Sequence, residues 1–453
     1  MMIERFISDC ASTLHTPANP DVYFDTASVL RATAQTIVWG DEEYRAMEFL
    51  SKRVEISRCL YESYREGGAR TSTNSLADAL QPLALALLFK DFGRLSNSRD
   101  TPNAVKRLNG VLKLLDTLTT KSVTLDPALV SLIKTQAQQF LATLQPVAPP
   151  PPTISNTIAP LAPRTLPLTV LFWEGPIARA YLATLKSMGL KPDKIIHLVS
   201  KNDLVTKKPI GRFVPRYFKL VYAQSRQKNS IHYWSSTLQK KETTLYRAMR
   251  STVENGLKFP ASVIDDALAL VDLNEYSPHI ETLMIENLSD NVLHDHLSKL
   301  QQTQILFTGG GIVPKKLLEI PTLKFIHIHP GHLPEVRGAD CVLWSNLMKG
   351  RTSATCFYMA PGIDDGDVIL ASYLPPLTPR LHIAQRDVKT LYRATYAFFD
   401  PWVRGFVLRQ ALIETDGFTR ISATPQVEDT SVTYHFMHAQ IQHAAFSKLF
   451  ADI

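Results

Sequence analysis

The chain has 453 residues, 45% hydrophobic and 20% charged, with a formal net charge of +7. That is ordinary for a soluble globular protein and leaves room for two or three domains. The mildly basic balance permits an anionic substrate or a nucleic acid but demands neither. The four cysteines, Cys10, Cys59, Cys341 and Cys356, are far apart and form no CxxC pair. This argues against a disulfide framework or a structural zinc site and fits a reducing compartment. The opening MMIERFISDC is broken by Glu4 and Asp9 where a signal peptide needs an apolar run. The most apolar stretch, Leu80 to Phe89, contains Pro82 and is too short to span a bilayer. The expectation is a cytoplasmic protein with no membrane segment.

In chain order, the first 145 residues read as helical. Asp41–Glu66 and Asn103–Leu118 carry apolar residues three and four apart. In the second segment Val105, Leu108, Val111, Leu112, Leu114 and Leu115 form one broad apolar face. These residues are expected to build an accessory or oligomerisation domain, through which the chain would form a homo-oligomer. Residues 146–167 contain PVAPPPP and IAPLAPRTLP. Proline fixes φ and removes a backbone donor, so this stretch reads as an extended linker.

From residue 168 the grammar changes. Leu168–Trp173 is a short run of strand formers, Glu174-Gly175-Pro176 a turn, Ile177–Met188 an amphipathic stretch and Lys194–Val199 the next strand. Strand, turn, helix, strand is the pattern of a mainly parallel sheet covered by helices, so the fold class is α/β. Asn291–Leu300 and Val313–Glu319 read as helices; Gln304–Thr308 and Lys324–His329 read as strands. Residues 201–278 form an insertion whose first part is basic (Lys207, Lys208, Arg212, Arg216, Lys219, Arg226, Lys228), with Phe213, Tyr217, Phe218 and Tyr222 interleaved. It reads either as a solvated helical insertion whose aromatics pack inward or as an RNA- or phosphate-binding surface; the first reading is favoured.

The chemistry concentrates between Ile305 and Leu370. A strand sends residues i and i+2 to one face, so His327 and His329 point together while Ile326 and Ile328 face the other way. Pro330-Gly331 ends the strand, which puts both imidazoles at the mouth of the sheet. Upstream, Thr308 and the glycines 309–311 follow a strand and allow close backbone approach to a ligand, without GxGxxG or P-loop spacing. Downstream, Gly362-Ile363-Asp364-Asp365-Gly366-Asp367 is an acidic loop without EF-hand spacing. From geometry alone the histidines could be structural, or could join Asp364 in a metal triad.

Together these pieces resemble the folate-dependent formyltransferase family. The residues that carry the likeness are Gly311-Ile312-Val313-Pro314, His327-Ile328-His329-Pro330-Gly331-His332-Leu333-Pro334, Val336-Arg337-Gly338, Ala354-Thr355-Cys356 and Ile363-Asp364-Asp365-Gly366. The resemblance extends more weakly to the strand at Leu168 and to helices near Asp387–Phe399, and does not cover residues 1–165. It implies a Rossmann-like formyltransferase domain at 168–453 that takes 10-formyltetrahydrofolate as cosubstrate and transfers its formyl group to an amine. It assigns His329 and Asp364 as catalytic. Gly311, Ile312, Val313, Gly331, His332, Leu333, Pro334, Ala360, Pro361, Gly362 and Ile363 would contact the cofactor, and no metal would be needed. The family's asparagine is replaced by His327, which can donate a hydrogen bond to an oxyanion and normally titrates near neutral pH. With only about fifty residues after the core, the separate C-terminal β-barrel of methionyl-tRNA formyltransferases is expected to be absent. A small-molecule amine is therefore expected as acceptor rather than a nucleic acid. The competing readings are a metal-dependent hydrolase built on His327, His329 and Asp364, and a non-catalytic folate or ligand binder.

Overall fold

The computed structural model describes residues 91–120, 127–146, 162–211, 215–309, 311–384, 386–427 and 431–450, together with positions 85, 88, 89 and 125. The chain divides into two units, Met1–Gln145 and Pro146–Ile453. In the first, helix α1 spans Thr101–Thr120 and α2 spans Pro127–Thr143. The apolar spacing read over 103–118 explains α1: Val105, Leu108, Val111, Leu112, Leu115 and Leu118 are buried, and Leu114 lies at the edge of that face. Phe92 meets Phe140 of α2 edge-on at 5.1 Å, and the buried Asp91 pairs with Arg107 of α1 at 2.7 Å. The helix read at 41–66 and residues 147–161 of the linker lie outside the described residues.

The second unit is built on a seven-stranded sheet. Its strands are β1 (Arg164–Trp173), β2 (Leu190–Ser200), β3 (His279–Ile285), β4 (Thr303–Phe307), β5 (Leu323–His329), β7 (Ser353–Tyr358) and β8 (Val368–Tyr373). They lie in the order β3-β2-β1-β4-β5-β7-β8. The first five are parallel; β7 and β8 pair antiparallel. Short strands β6 (Arg337–Gly338) and β9 (Thr433–Tyr434) form a second sheet. The mainly parallel sheet expected from the sequence is present. β1 starts earlier than expected, inside the proline-rich stretch. Pro167 is accommodated because the β1–β2 register breaks between Leu166 and Thr169, where no ladder donor is required.

One face of the sheet carries an apolar cluster of Leu171, Ile196, Leu198, Ile305, Phe307 and Phe325. It is closed by Leu293 and Leu297 of α7 (Asn291–Leu297) and Leu317 of α8 (Lys315–Leu318). Helices α3 (Pro176–Ser187), α9 (Cys341–Lys349), α10 (Val388–Phe398) and α11 (Asp400–Glu414) also belong to this unit. α11 is buried on nearly every side, as a helix passing through a core must be, with Val403, Phe406, Val407 and Leu408 all inaccessible.

The insertion is helical: α4 (Arg216–Lys241), α5 (Thr243–Leu257) and α6 (Ala261–Ala269). The expectation that its aromatics pack inward fails, for Phe218 and Tyr222 are exposed. The inner face of α4 is polar where it meets β2. Gln227 accepts from the Ser200 amide at 2.7 Å and donates to the Leu198 carbonyl at 3.1 Å, alongside the small Ala223. The helix is anchored by an amide at the end of a strand, so its aromatics turn outward.

The turn after β1 holds a buried ion pair. Arg179 of α3 donates to both oxygens of Glu174, at 2.9 and 2.7 Å, and His232 of α4 lies 2.9 Å from Oε1. Burial opposes ionisation of Glu174, but the hydrogen bonds to His232 and Arg179 outweigh it and bring the carboxyl from 4.5 down to about 2. Because the folded group is the more acidic, ionised Glu174 stabilises the fold above pH 4.5, and that contribution fades as the pH falls toward about 2. We expect Glu174→Ala to leave Arg179 buried without its partner and to cost roughly 3–5 kcal/mol at neutral pH. Urea unfolding of both proteins from neutral pH downward should show the difference shrinking in acid; an unchanged midpoint at neutral pH would refute the role.

Candidate active site

The site lies where β5 outruns its neighbour. β4 pairs with β5 only as far as Leu306 and Ile326, and then diverges through Thr308 and Gly309. His327 and His329 occupy the part of β5 beyond that point, on one face, while β7 covers the other edge through the pairs His327–Phe357 and His329–Thr355. Thr308 closes the switch point between β1 and β4: its hydroxyl donates to the Leu171 carbonyl at 3.1 Å and accepts from the Trp173 amide at 3.0 Å.

His329 is 2% exposed and held at both nitrogens. Nε2 donates to the Val336 carbonyl at 2.9 Å, and Nδ1 lies 3.3 Å from Asp364 Oδ1. The other Asp364 oxygen accepts from the Gly338 amide at 2.8 Å. Burial opposes ionisation of Asp364, but the His329 ring and the Gly338 amide prevail and lower its carboxyl from 3.8 to about 2. Asp364 is therefore an anion at any pH above mild acid. Its backbone is left-handed, at φ 51°, a conformation aspartate tolerates better than most residues. Gln426 fastens that turn by donating to the carbonyls of Asp364 at 3.1 Å and Gly366 at 2.7 Å, and it accepts from Arg337 at 2.8 Å.

His327 is half-buried between the rings of Phe307 and Phe357, with centroids 5.7 and 6.0 Å away. Its Nδ1 lies 3.3 Å from the Phe307 carbonyl. Burial, helped by the Arg404 charge, pushes its pKa down to about 3. The expectation of a group titrating near neutral pH is thereby corrected: the apolar walls keep this imidazole neutral.

The loop after β5 is set by Thr355, whose buried hydroxyl donates to the Gly331 carbonyl at 2.7 Å and accepts from the Leu333 amide at 3.0 Å. His332 points elsewhere. Its ring stacks on Tyr373 at 4.5 Å, near Glu335, so its side chain is committed within the protein. Leu333 and Val313 are likewise buried. Ile312 is 89% exposed and Ile363 61% exposed, each in a glycine-bounded turn. Gly309 (φ 131°), Gly311 (φ 127°) and Gly362 (φ 145°) take backbone that side chains disfavour. Sequence reasoning missed Val336, Gln426 and Arg404. The last donates to the Ile328 carbonyl, between the two histidines, at 2.9 Å and pairs with the fully buried Asp400 at 2.9 Å. Val336 lies in the Val336-Arg337-Gly338 stretch but acts through its backbone carbonyl, which its residue type does not reveal; no local motif marks Gln426 or Arg404, which act from other parts of the chain.

Among the described residues, no group of three His, Cys, Asp or Glu side chains could hold a metal ion. Both nitrogens of His329 are engaged by protein acceptors, so a triad with His327 and Asp364 would require breaking them. No helix among the described residues is long and apolar enough to cross a membrane.

Fold and site thus define a Rossmann-like α/β domain with an imidazole–carboxylate pair at the mouth of its sheet. Residues 273–392, which hold both β5 histidines and Asp364, match the family model for formyl transferase. A methionyl-tRNA formyltransferase of Syntrophus aciditrophicus (strain SB) is 35% identical over 102 residues, 22% of this chain and 32% of that protein. One from Clostridioides difficile (strain 630) is 44% identical over 84 residues, 18% of this chain and 27% of that protein. Among solved structures, the N-formyltransferase from Helicobacter canadensis in complex with folinic acid and dTDP-3-aminofucose is 14% identical, covers 62% of this chain and 80% of its own, and gives a TM-score of 0.33. The matched segment is thus similar to formyltransferases over about a quarter of the chain. It spans about a third or less of the length of these curated relatives.

Gly331 has φ outside the left-handed region but stands against the site. A Cβ there would collide with the Val336 carbonyl and come within 2.7 Å of His329 Nε2. We expect Gly331→Ala to break the His329–Val336 bond at a cost of about 1–3 kcal/mol. Thermal melting and the His329 imidazole signals in NMR would report it; unchanged values in both would contradict the packing.

Proposed function

We propose that the protein transfers a formyl group from 10-formyltetrahydrofolate to an amine. The observation that carries this reading is the His329–Asp364 pair, 3.3 Å apart, at the open end of β5 inside the formyl transferase segment. Formyl transfer needs a donor for the oxygen that gains charge as the amine attacks, and a route for the proton the amine must lose. In this reading His329 turns a ring N–H from Val336 to that oxygen on binding, and ionised Asp364 orients the ring and organises proton transfer. Catalytic hydrogen bonds commonly form only in the complex. Gly309, Gly311 and the turn at 360–363 would bring backbone to the folate ring. The exposed Ile312 and Ile363 offer it apolar surface.

The acceptor is an amine, and we favour a small molecule. The curated relatives formylate methionyl-tRNA by name, which makes a nucleic-acid acceptor the second reading to test rather than one to set aside.

Calorimetric titration with 5-formyltetrahydrofolate, a stable analogue, tests the cosubstrate before the acceptor is known. Saturable binding to the full chain is expected. His329→Ala and Asp364→Asn should each lower formyl transfer by about 10²–10³-fold while altering folate affinity far less. Methionyl-tRNA and an amino-sugar nucleotide, offered side by side, separate the two acceptor classes. Absence of folate binding would sink the proposal.

A further inference from the structure

The replacement of the family's asparagine by His327 changes what that position can do. The Phe307 carbonyl, 3.3 Å from Nδ1, can only accept a hydrogen bond, so Nδ1 carries a proton. A neutral imidazole has one N–H. Its other nitrogen, Nε2, then holds a lone pair and cannot donate to an oxyanion. Among the described residues Nε2 has no protein partner, while Nδ1 of the same ring and both nitrogens of His329 do. The ring is half-buried and points from the same strand face as His329.

We propose that His327 Nε2 is the proton acceptor for the attacking amine, in place of the oxyanion donor that an amide would supply there. The inference rests on the formyl-transfer reading. In the step, the amine nitrogen bonds to the formyl carbon and the bond from that carbon to the folate N10 breaks. One amine proton passes to His327 Nε2 and is then delivered to N10, so the ring ends as it began.

The surroundings keep the ring in the required form. Phe307 of β4 and Phe357 of β7 wall it in; Arg404 of α11 and His329 of β5 oppose a positive charge on it; Asp364 and the hydrogen bond to the Phe307 carbonyl favour one. Burial is the largest of these influences and holds the pKa near 3. The Asp364 carboxylate favours a positive charge on the ring and so steadies it while it carries the proton.

Two measurements test this. In the ¹⁵N-labelled full chain, long-range ¹H–¹⁵N correlation, with His327→Gln assigning the signal, should give a protonated Nδ1 and an unprotonated Nε2. The pattern should hold from about pH 5 to pH 9, as expected of a group titrating far below that range. A protonated Nε2, or titration within that range, overturns the proposal whether or not transfer is seen. Second, formyl transfer is followed with 10-formyltetrahydrofolate and hydroxylamine, a small probe amine that is largely unprotonated at neutral pH. His327→Asn and His327→Gln should lower kcat by about 10²-fold or more, with 5-formyltetrahydrofolate affinity within about twofold of wild type. If His327→Asn is as fast as wild type or faster, the position serves as a donor and the proposal fails. Wild-type protein that does not bind 5-formyltetrahydrofolate would instead remove the formyl-transfer reading, with the NMR result still deciding the ring's form.

Discussion

The site depends on the point at which β4 stops. Parallel strands satisfy each other's backbone only while they run together, and β4 leaves β5 after Leu306 and Ile326. Beyond that point the β5 backbone on this side needs donors from elsewhere, because a buried carbonyl without a partner costs about 1–3 kcal/mol. Arg404 supplies one to Ile328 at 2.9 Å, and Tyr181 of α3 approaches the same oxygen at 3.5 Å. Asp400, fully buried one turn earlier on α11, balances the guanidinium. An ion pair inside a core helix is expensive in desolvation, and its retention is intelligible here because it completes a strand end that a neighbouring strand cannot reach.

A second constraint holds the carboxylate opposite. Asp364 sits in a tight acidic turn whose backbone is left-handed, and such a turn keeps one shape only if its surroundings over-determine it. The Gly338 amide does so from β6, and Gln426 does so from the segment before β9, across 62 residues of chain. The Arg337–Gln426 bond links these two supports. The small β6–β9 sheet thus has a purpose beyond its own two residue pairs: it brings the Gly338 amide and the Gln426 side chain to one turn.

Much of this was legible in the sequence, and the legible part is local. The alternation His327-Ile328-His329 fixes a shared face because strand periodicity is two, and Pro330-Gly331 marks the strand end. The helix at Thr101–Thr120 was readable from its apolar spacing. What escaped was decided by distant partners. Arg404 reaches Ile328 across 76 residues, and nothing in its Asp400–Arg404 spacing distinguishes it from an ordinary surface pair. The outward aromatics of α4 escaped for a similar reason: Gln227 reads as a surface residue until β2 presents it with an unpaired carbonyl and amide. Pro167 suggested that β1 should start later, and only the β1–β2 register shows how the strand absorbs it.

His327 and His329 exchange roles when their hydrogen bonds are counted. The resemblance read from the sequence puts His329 in the catalytic position and makes His327 the departure. By geometry His329 is the committed ring, bound at Nε2 to Val336 and facing Asp364 at Nδ1, and it must release a bond to act. His327 has a lone pair with no partner among the described residues and apolar walls that resist a lasting charge. General acid–base catalysis is most efficient with a pKa near the operating pH, so a ring of such low basicity relies on its position beside the attacking amine and on passing the proton at once to the leaving nitrogen. An asparagine there could orient an oxygen but could not carry that proton. The substitution therefore moves proton handling from the Asp364 side of the site to the β5 strand itself, and leaves oxygen stabilisation to His329.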